Sequence, residues 1–511
     1  MKNFTIQISV LAIIFSFPTF AQDLKVASGG QMYISPTEFV HASSNVSVDA
    51  GGELIMDSVS NDFSDFFVVG TSTGTAEYRR YTGSSATRDL VSPPVSGQAF
   101  NLFAAANSGI ATGTINTSNL MYGPFDTASG SYVEYASTEV TPLVSAKGYR
   151  AGTTSGGVLS YEGAVATTDI AVTLAYGSTA GYKYTNLVGN PFTTHIDSGA
   201  IVTALSGHAN IDQNYAALYG WNGTATNDPN TWKVINSLSP TLITPGQGFI
   251  IISSSSGGAF TFPKSAREVS DTPQDDFLTG RQVNTTSYFK LRLTKGPNAA
   301  ETSIYFTSPF GTRGLDVGYD AGSLDSHIGT HLVENSQGVN FAIQALSEAD
   351  LTASDYAIAV HVSVAAGQEA TLSINELNVP FGTKFYLDDT ELNVQTLLTS
   401  NDYTFTPSSA LSGIGRFYLR TTSGTFSSPS TVLDSVEILS LSATNKLVVQ
   451  GQLKNDSVLK LYDISGRIIE TYRLKSSQTK HVIDVSNISS GVYIVNLNNK
   501  NQTKTTKLVI N

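Results

Sequence analysis

Short runs of alternating apolar and polar residues, separated by turn-forming residues, dominate this sequence. The period of two is clearest at residues 288–293 and 358–364. Because successive side chains of a strand point to opposite faces, this period places every second residue in a core. Helical patterns are limited to residues 99–106 and residues 198–205, where Asp197 can cap the first turn. The sequence therefore predicts an all-β protein with two short helices.

The spacing of the runs changes along the chain and divides its 511 residues into several domains. Apolar pairs in the N-terminal part are too short to be stable singly, so we expect them to stack as rungs of a β-solenoid-like fold. Longer runs further on predict an antiparallel β-sandwich and then an immunoglobulin-like sandwich. The predicted division is a signal peptide (1–21), an N-terminal short-strand β region (22–81), a central mainly-β domain (82–269), a linker (270–284), a β-sandwich domain (285–424), a second linker (425–435) and a C-terminal module (436–511).

The N-terminus has the composition of a secretory signal peptide. Lys2 supplies a positive charge, residues 6–17 form an apolar run, and Ala21 ends a small-x-small cleavage site before Gln22. The apolar run is shorter than the roughly 20 residues that a membrane-spanning helix needs. We therefore expect cleavage after Ala21 and an exported mature protein.

The lack of cysteine and the acidic charge restrict what the mature chain can do. Because the sequence has 0 Cys, it excludes disulfides, thiol catalysis and cysteine-bound metals. Residues 22–435 carry 18 Lys+Arg against 36 Asp+Glu, a balance of −18, whereas residues 436–511 carry 10 against 5, a balance of +5. Nucleic acid is not expected as a partner, because phosphates need clustered cations.

The C-terminal module contains three motifs in order. A Leu-x-Leu-Tyr-Asp-Ile-x-Gly-Arg block covers residues 459–467, a Gly-Val-Tyr-Ile-Val strand covers residues 491–495, and a Lys-Leu-Val-Ile ending covers residues 507–510. These motifs resemble the type A C-terminal sorting domain of type IX secretion system cargo. The resemblance assigns the sorting signal to Leu461, Tyr462, Asp463, Gly466, Arg467, Gly491, Tyr493 and Lys507.

This resemblance implies a route and partners. Cargo of that family crosses the outer membrane through the type IX translocon, and the sorting machinery usually removes the module, which here would occur within residues 427–435. The cargo is then released or joined to surface lipopolysaccharide. The expected location is therefore extracellular or at the cell surface.

The central region carries a second resemblance. Residues 70–81, Ser-Pro-Pro-Val at 92–95, Gly-Asn-Pro at 189–191 and Pro-Gly-Gln-Gly-Phe at 245–249 are similar to segments of an uncharacterised class of secreted all-β cargo proteins. The segments consist of turn-forming residues, so we interpret them as structural.

Two segments match catalytic or metal-binding patterns but favour structural interpretations. Residues 70–74 match the G-x-S-x-G nucleophile pattern around Ser72, yet the residues that follow are typical of a strand, not of the helix that such an elbow requires. His327 and His331 have the spacing of zinc ligands on a helix, but Gly329 interrupts the segment and the glutamate of H-E-x-x-H is missing. We predict no catalytic residue, and a polar surface loop at the histidines.

Acidic side chains leave a structural calcium ion open, although the sequence predicts no cofactor. The residues with oxygen ligands of the kind that calcium uses are Asp316, Asp320, Asp325, Asn227, Asp228 and Asn230. The same residue types also dominate turns for backbone reasons. A further cluster, Asp388, Asp389 and Glu391, is interpreted as a solvated turn, because neighbouring strand residues point to different sides.

The leading functional hypothesis is a secreted or surface protein that serves adhesion or matrix contact without catalysis. It rests on the sorting module, the modular all-β layout and the lack of a catalytic constellation. The alternative is a carbohydrate-binding or carbohydrate-active exoprotein with a glycan ligand. In that case Trp221 and Trp232 would stack on sugars, although burial of both rings in a core is the favoured interpretation.

Overall fold

The computed structural model describes residues 23–177, 184–221, 232–270, 286–324, 327–332, 338–353, 356–421, 436–441, 445–451, 453, 455–499 and 503–510. The predicted signal peptide with Ala21 and Gln22, the linker at 425–435 and all but the first residue of the linker at 270–284 lie outside these ranges. No helix of the described part is both long enough and apolar enough to cross a membrane.

The described chain is built from strands, two α-helices and short 3-10 helices at Gln213–Tyr215, Lys264–Ala266 and Glu348–Leu351. The N-terminal strands are β1 (Leu24–Val26), β2 (Gln31–Ile34), β3 (Phe39–Ala42), β4 (Val46–Val48), β5 (Glu53–Met56), β6 (Ser58–Val59), β7 (Asp62–Phe63), β8 (Asp65–Val68), β9 (Ser72–Thr73) and β10 (Ala76–Thr82). The central elements are β11 (Asp89–Val91), β12 (Val95–Ser96), α1 (Phe100–Ala106), β13 (Tyr122–Asp126), β14 (Ser131–Tyr132), β15 (Tyr149–Ala151), β16 (Gly157–Val165), β17 (Ile170–Leu174), β18 (Thr185–Gly189), β19 (His195–Asp197), α2 (Ser198–Leu205), β20 (Leu218–Trp221), β21 (Trp232–Ile235), β22 (Leu242–Ile243), β23 (Gly248–Ile252), β24 (Gly258–Phe262) and β25 (Arg267–Glu268).

The remaining strands form the two C-terminal domains. The first set is β26 (Ser287–Lys295), β27 (Asn298–Phe306), β28 (Ala321–Gly322), β29 (Ile328–His331), β30 (Phe341–Leu346), β31 (Ile358–Val364), β32 (Ala370–Asn378), β33 (Tyr386–Asp389), β34 (Val394–Leu397), β35 (Tyr403–Phe405) and β36 (Leu411–Arg420). The second set is β37 (Glu437–Leu441), β38 (Lys446–Gln450), β39 (Ser457–Tyr462), β40 (Ile468–Leu474), β41 (Lys480–Asp484), β42 (Gly491–Asn498) and β43 (Thr503–Ile510).

Most of the N-terminal strands stack in parallel as rungs of a solenoid. β1 pairs with β4 and β4 with β9, while β2 pairs with β5 and β5 with β10. A ladder of polar side chains runs along one corner. Asp23 Oδ1 accepts a hydrogen bond from Asn45 Nδ2 at 3.2 Å, and Asn45 Oδ1 accepts one from the Thr71 N–H at 2.9 Å. The predicted β-solenoid-like fold is confirmed.

The solenoid and the first part of the central region share one hydrophobic core. β10 pairs in parallel with β5 on one edge and antiparallel with β16 on the other, so it joins the last rung to the next sheet. Leu54 of the solenoid belongs to the same buried cluster as Phe103 of α1 and Tyr161 of β16. Packing therefore continues across residue 82, and the boundary there stays a prediction.

Both predicted helices are confirmed. α1 begins at Phe100, and α2 covers residues 198–205 as predicted. Asp197 caps α2, because its side chain accepts a hydrogen bond from the Gly199 N–H at 2.8 Å. The cap satisfies one of the amide groups that a first helical turn leaves without a partner. Ile201 and Leu205 then bury the inner face of α2 in the second core of the central region.

Residues 287–420 form one sheet of eleven strands, in the order β34-β33-β36-β31-β29-β30-β27-β26-β32-β35 with β28 beside β30. The sheet curls over a common core, since Phe405 of the last strand lies 4.8 Å from Phe417 of β36, ring centroid to ring centroid. β27 and β30 pair in parallel, whereas period-2 alternation indicated antiparallel neighbours. A parallel pair needs a long connection, which residues 307–340 supply.

The C-terminal module is a sandwich of two sheets. One sheet has the order β37-β38-β41 and the other the order β40-β39-β42-β43. Leu447 of the first sheet and Leu461 and Val495 of the second meet in a single buried cluster. The predicted seven-stranded immunoglobulin-like sandwich is confirmed.

Arg80 is wholly buried where distant segments of the chain meet. Its Nη1 donates to Asp89 Oδ2 at 3.0 Å and to the Tyr81 carbonyl oxygen, and its Nη2 donates to Gln247 Oε1 at 2.6 Å. Its guanidinium also lies 5.6 Å from the centroid of the Phe63 ring. A buried cation is stable only when such partners replace water.

Replacing Arg80 by Met is expected to lower the free energy of unfolding by about 3–5 kcal/mol, because Asp89 would stay buried without its cation. Arg79 offers a matched control, since it pairs with Glu77 at 2.8 Å near the surface. Arg79→Met is expected to cost about 0–1 kcal/mol. Chemical denaturation followed by tryptophan fluorescence measures both values, and equal losses would contradict the structural role of Arg80.

Candidate functional site

A tight turn between β39 and β40 is the best-defined feature among the predicted site residues. Asp463 follows β39, and its Oδ1 accepts hydrogen bonds from the Ser465 N–H at 2.9 Å, the Ser465 hydroxyl at 2.6 Å and the Arg467 N–H at 3.0 Å. Its Oδ2 accepts from Arg467 Nε at 3.0 Å. Gly466 closes the turn with a φ of +83°, a conformation that side chains with a Cβ disfavour.

The hydrogen bonds of this turn fix the charge of Asp463. The bond from the Ser465 hydroxyl, with smaller contributions from backbone N–H groups and Arg467, lowers the pKa of Asp463 to about 2. Asp463 therefore stays ionised across the physiological range. The Arg467 side chain is 77% exposed, so its guanidinium remains accessible beside the carboxylate.

The other predicted residues of the site gather at the same end of the four-stranded sheet. Tyr462 lies opposite Ile494, which lies opposite Lys507 on the next strand. Gly491 begins β42 at this end. The Tyr493 hydroxyl donates to the Ser489 carbonyl oxygen at 2.7 Å. Leu461, with 1% of its surface exposed, points into the core and holds the turn in place.

Comparison with protein families assigns both parts of the chain. A family model described as "Domain of unknown function (DUF8693)" matches residues 3–420. The chain belongs to this family. A second model, described as "Secretion system C-terminal sorting domain", matches residues 443–511 and covers the whole turn site. This DUF8693 protein is therefore type IX secretion cargo, and it is exported to the cell surface or the medium.

Comparison with individual proteins adds little to this assignment. No curated protein matches the chain. Among solved structures, the chain is similar to a protein described as "Biofilm associated protein - BSP domain". The sequence identity is 7%, the TM-score is 0.13, and the alignment covers 67% of this chain and 81% of the other.

The turn-forming segments of the DUF8693 region meet around Arg80. The Ser92 N–H donates to the Gly246 carbonyl oxygen at 2.8 Å, and the Asn190 N–H donates to the Gln247 carbonyl oxygen at 2.9 Å. Gly246 has a φ of +67°, and a Cβ there would lie 2.9 Å from Arg80 Cδ. We call this group of buried segments the Arg80 hub. The hub agrees with the structural interpretation of these segments.

The G-x-S-x-G segment is part of the solenoid. Ser72 lies in β9, a rung strand, and the strand β10 follows it, whereas a nucleophile elbow has a helix at that point. Gly74 has a φ of +86°, and a Cβ there would lie 2.1 Å from the Val48 carbonyl oxygen. The close approach of the stacked rungs therefore leaves no room for a side chain at position 74.

The prediction of a surface loop at the two histidines is wrong. His327 is exposed, but residues 328–331 form the buried strand β29. His331 Nε2 is hydrogen-bonded to Asn340 Oδ1, and the His331 and His361 rings stack with centroids 6.1 Å apart. Burial lowers the pKa of His331 to about 4. The chain buries this histidine in its neutral form. The polar appearance of residues 327–331 in the sequence did not indicate this burial.

The prediction of a solvated turn at Asp388, Asp389 and Glu391 is also wrong. Asp388 and Asp389 lie in β33, and arginines of the neighbouring strand β36 neutralise them. Arg416 Nη2 lies 2.7 Å from Asp389 Oδ2, and Arg420 Nε lies 2.6 Å from Asp388 Oδ2. Arg416 Nη1 also lies 2.8 Å from Glu391 Oε2. Sequence spacing could not reveal these pairs, because the partners are about 30 residues away.

The two described acids of the calcium hypothesis are used within the protein. Asp320 Oδ1 accepts from the Ala345 N–H at 2.7 Å, and its Oδ2 accepts from the Asp316 N–H at 2.8 Å. Burial raises the pKa of Asp320 to about 8. Asp325, Asn227, Asp228 and Asn230 lie outside the described residues. Within the described ranges, no group of three or more His, Cys, Asp or Glu could hold a metal ion, and the calcium ion stays a prediction.

The two tryptophans pack on each other. Trp221 and Trp232 face each other across β20 and β21, with ring centroids 5.2 Å apart and edge-to-face geometry. Trp221 Nε1 donates to the Thr87 carbonyl oxygen at 3.4 Å. Both rings are partly buried against a core cluster that includes Tyr219, which agrees with the core interpretation.

One buried polar group was not predicted from the sequence. Asp65 of β8 accepts hydrogen bonds from the His195 N–H at 2.7 Å, from His195 Nδ1 at 2.9 Å and from the Ser270 N–H at 2.8 Å. These contacts tie the solenoid to β19 and to the end of the central region. The contacting residues are more than 100 positions apart in sequence, so no local pattern could have shown them.

Gly466→Ala is expected to lower the free energy of unfolding of the module by about 1–2 kcal/mol, because a Cβ disfavours positive φ. Gly491→Ala is the matched control. Gly491 does not have a positive φ, and a Cβ there would make an ordinary 3.4 Å contact with Tyr493. Thermal unfolding of the two variants checks the difference, which would vanish if the turn did not need its left-handed residue.

The module is expected to lose stability in acid because of Asp463 and Asp456. A hydrogen bond from Lys475 lowers the pKa of Asp456 to about 2, the same direction as for Asp463. Both folded-state pKa values lie below the unfolded value of about 3.9, so their stabilisation is full above that value and is lost as pH falls towards 2. Asp463→Asn should flatten the fall of Tm between about pH 4 and pH 2. An unchanged slope would show that Asp463 has no part in it.

Proposed function

We propose that the exported protein is a surface scaffold that makes adhesive contacts without catalysis. A continuous apolar core supports this proposal. Leu90 beside the solenoid, Tyr219 and Ile250 of the central region, and Tyr305 and Ile343 of the eleven-stranded sheet belong to one buried cluster. Such packing suits a load-bearing role, because tension on one domain is transmitted to the next through buried contacts.

The observation that carries the adhesive part is an exposed apolar tip on the eleven-stranded sheet. Leu377 near the end of β32 is 47% exposed, and Phe381 in the following turn is fully exposed. Gly382 turns the chain back with a φ of +89°. A large aromatic side chain held in water by a tight turn contributes nothing to folding but can anchor a partner surface. We call Leu377 and Phe381 the apolar tip.

The remaining parts of the proposal concern partners. The sorting module brings the chain to the type IX machinery, and we propose that the mature scaffold is then either released or joined to lipopolysaccharide. A glycan ligand is the second possibility for the partner of the apolar tip, since sugars also stack on aromatic rings. A protein or matrix surface is favoured here, because the apolar tip presents an aliphatic side chain as well as an aromatic ring.

The double substitution Leu377→Ser and Phe381→Ser is expected to abolish most attachment of cells that express the full-length chain and carry the exported protein on their surface. The side chains are exposed, so stability should change by less than about 0.5 kcal/mol. Leu392→Ser with Val394→Ser, at positions exposed by 57% and 40% on a different hairpin, is the matched control.

Attachment to protein-coated and glycan-coated surfaces is measured at equal surface amounts of each variant. Loss on the protein coat with the first pair alone supports the proposal, and loss confined to the glycan coat supports the carbohydrate alternative. Equal attachment by all variants would refute the role of the apolar tip.

A further inference from the structure

The four-stranded sheet of the sorting module has an outer face that its strand register defines. Alternate residues of each strand point away from the buried cluster. Cross-strand partners then place the outward residues in rows. These rows are Val492 and Val509; Ile468, Tyr462, Ile494 and Lys507; Thr471, Lys460, Asn496 and Thr505; and Arg473, Val458, Asn498 and Thr503. We call this set the outer face.

Apart from Lys507, the half of the outer face nearest the Asp463 turn is apolar, and most of it is exposed. Ile468 is 50% exposed, Val509 is 49% exposed, and Val492 and Ile494 are each 37% exposed. Ile464, within the turn itself, is 80% exposed. A strand face in water normally carries polar residues, and contiguous exposed apolar residues mark interaction surfaces.

The charges of the outer face all have the same sign. Lys507, Lys460 and Arg473 are on it, whereas none of the described residues that the register places there is Asp or Glu. This contrasts with the balance of −18 in the cargo. The complementary surface is an apolar patch edged by carboxylates, because charges of opposite sign at the rim steer and orient an encounter.

The outer face points away from the cargo. The module contacts the eleven-stranded sheet through its other, three-stranded sheet and the residues beside it. The Thr479 hydroxyl donates to the Ser412 carbonyl oxygen, and Gly338 lies beside Leu439 and Gln450. A partner could therefore cover the outer face while the module remains attached to its cargo.

We propose that the outer face is the surface by which a protein component of the type IX machinery holds the module. The partner is a folded protein that presents an apolar centre surrounded by Asp and Glu side chains. Val492, Val509 and Ile494 supply the contact area, and Lys507 and Lys460 set its orientation. The inference rests on the export of this chain and is independent of the apolar tip.

The test uses the full-length protein in a bacterium with an active type IX system. Surface and periplasmic amounts are measured by fractionation and by protease accessibility of whole cells. A chain that ends before Val436 gives the value for failed export. Val492→Ser with Val509→Ser is expected to lower the surface fraction at least fivefold. Val482→Ser is the control, because Val482 is 54% exposed on the three-stranded sheet, and it should be exported normally.

A charge pair tests the chemistry of the partner. Ile494→Glu and Ile494→Lys remove the same apolar side chain, but only the glutamate would be repelled by the carboxylates of the partner. Export of the Glu variant is expected to fall several-fold further than export of the Lys variant. This comparison also decides the matter if the double serine variant is shown by thermal unfolding to be unstable.

Three outcomes would overturn the proposal. They are normal export of all variants, equal loss with Val482→Ser, and equal export of the Glu and Lys variants. Normal export of the patch variants combined with weaker binding to lipopolysaccharide micelles would assign the outer face to a lipid headgroup instead of a protein. Attachment of cells that carry the exported protein is a separate measurement. A negative result for the apolar tip therefore leaves this export test unaffected.

Discussion

The buried guanidinium of Arg80 is the interaction on which the DUF8693 region depends. A cation without water must find partners for its N–H groups, and here they come from Asp89, nine residues away, and from Gln247, 167 residues away. The turn at Gly246 brings Gln247 to the cation. The turn-forming segments at residues 92–95 and 245–249 therefore serve one electrostatic requirement.

This requirement gives the turn-forming segments at residues 92–95 and 245–249 a structural role. Ser92, Gly246 and Gln247 are held by backbone hydrogen bonds around the cation, and Ser92 and Gln247 are wholly buried. The Gln247 side chain and the carbonyl groups of Gly246 and Gln247 are hydrogen-bonded inside the protein. The surfaces that we propose for partners lie elsewhere, on the apolar tip and on the outer face of the sorting module. In this proposal the scaffold contacts and the partner contacts use different parts of the molecule.

Local chemistry could be predicted from the sequence, and long-range pairing could not. The Asp197 cap, the rungs of the solenoid and the Asp463 turn depend on neighbouring residues, so their patterns are visible in the chain. The burial of His331 and the neutralisation of Asp389 by Arg416 depend on which strands become neighbours. An acidic cluster has the same appearance in a sequence whether water or an arginine surrounds it. The outer face was likewise hidden, because residues 491–495 are apolar on both sides of the strand and the sequence does not show which side stays exposed.

The position of β10 restricts where the solenoid can gain or lose a coil. One of its edges completes a rung, and its other edge is paired along residues 76–82 with β16. A solenoid can normally gain or lose a whole coil at low cost, because each coil contacts only its neighbours. Here a coil inserted after β10 would have to break that antiparallel pairing and separate Arg80 from Asp89. A change in coil number is therefore tolerated only in the chain before Ala76, so the solenoid can become taller or shorter only on the side of β10 that faces away from β16.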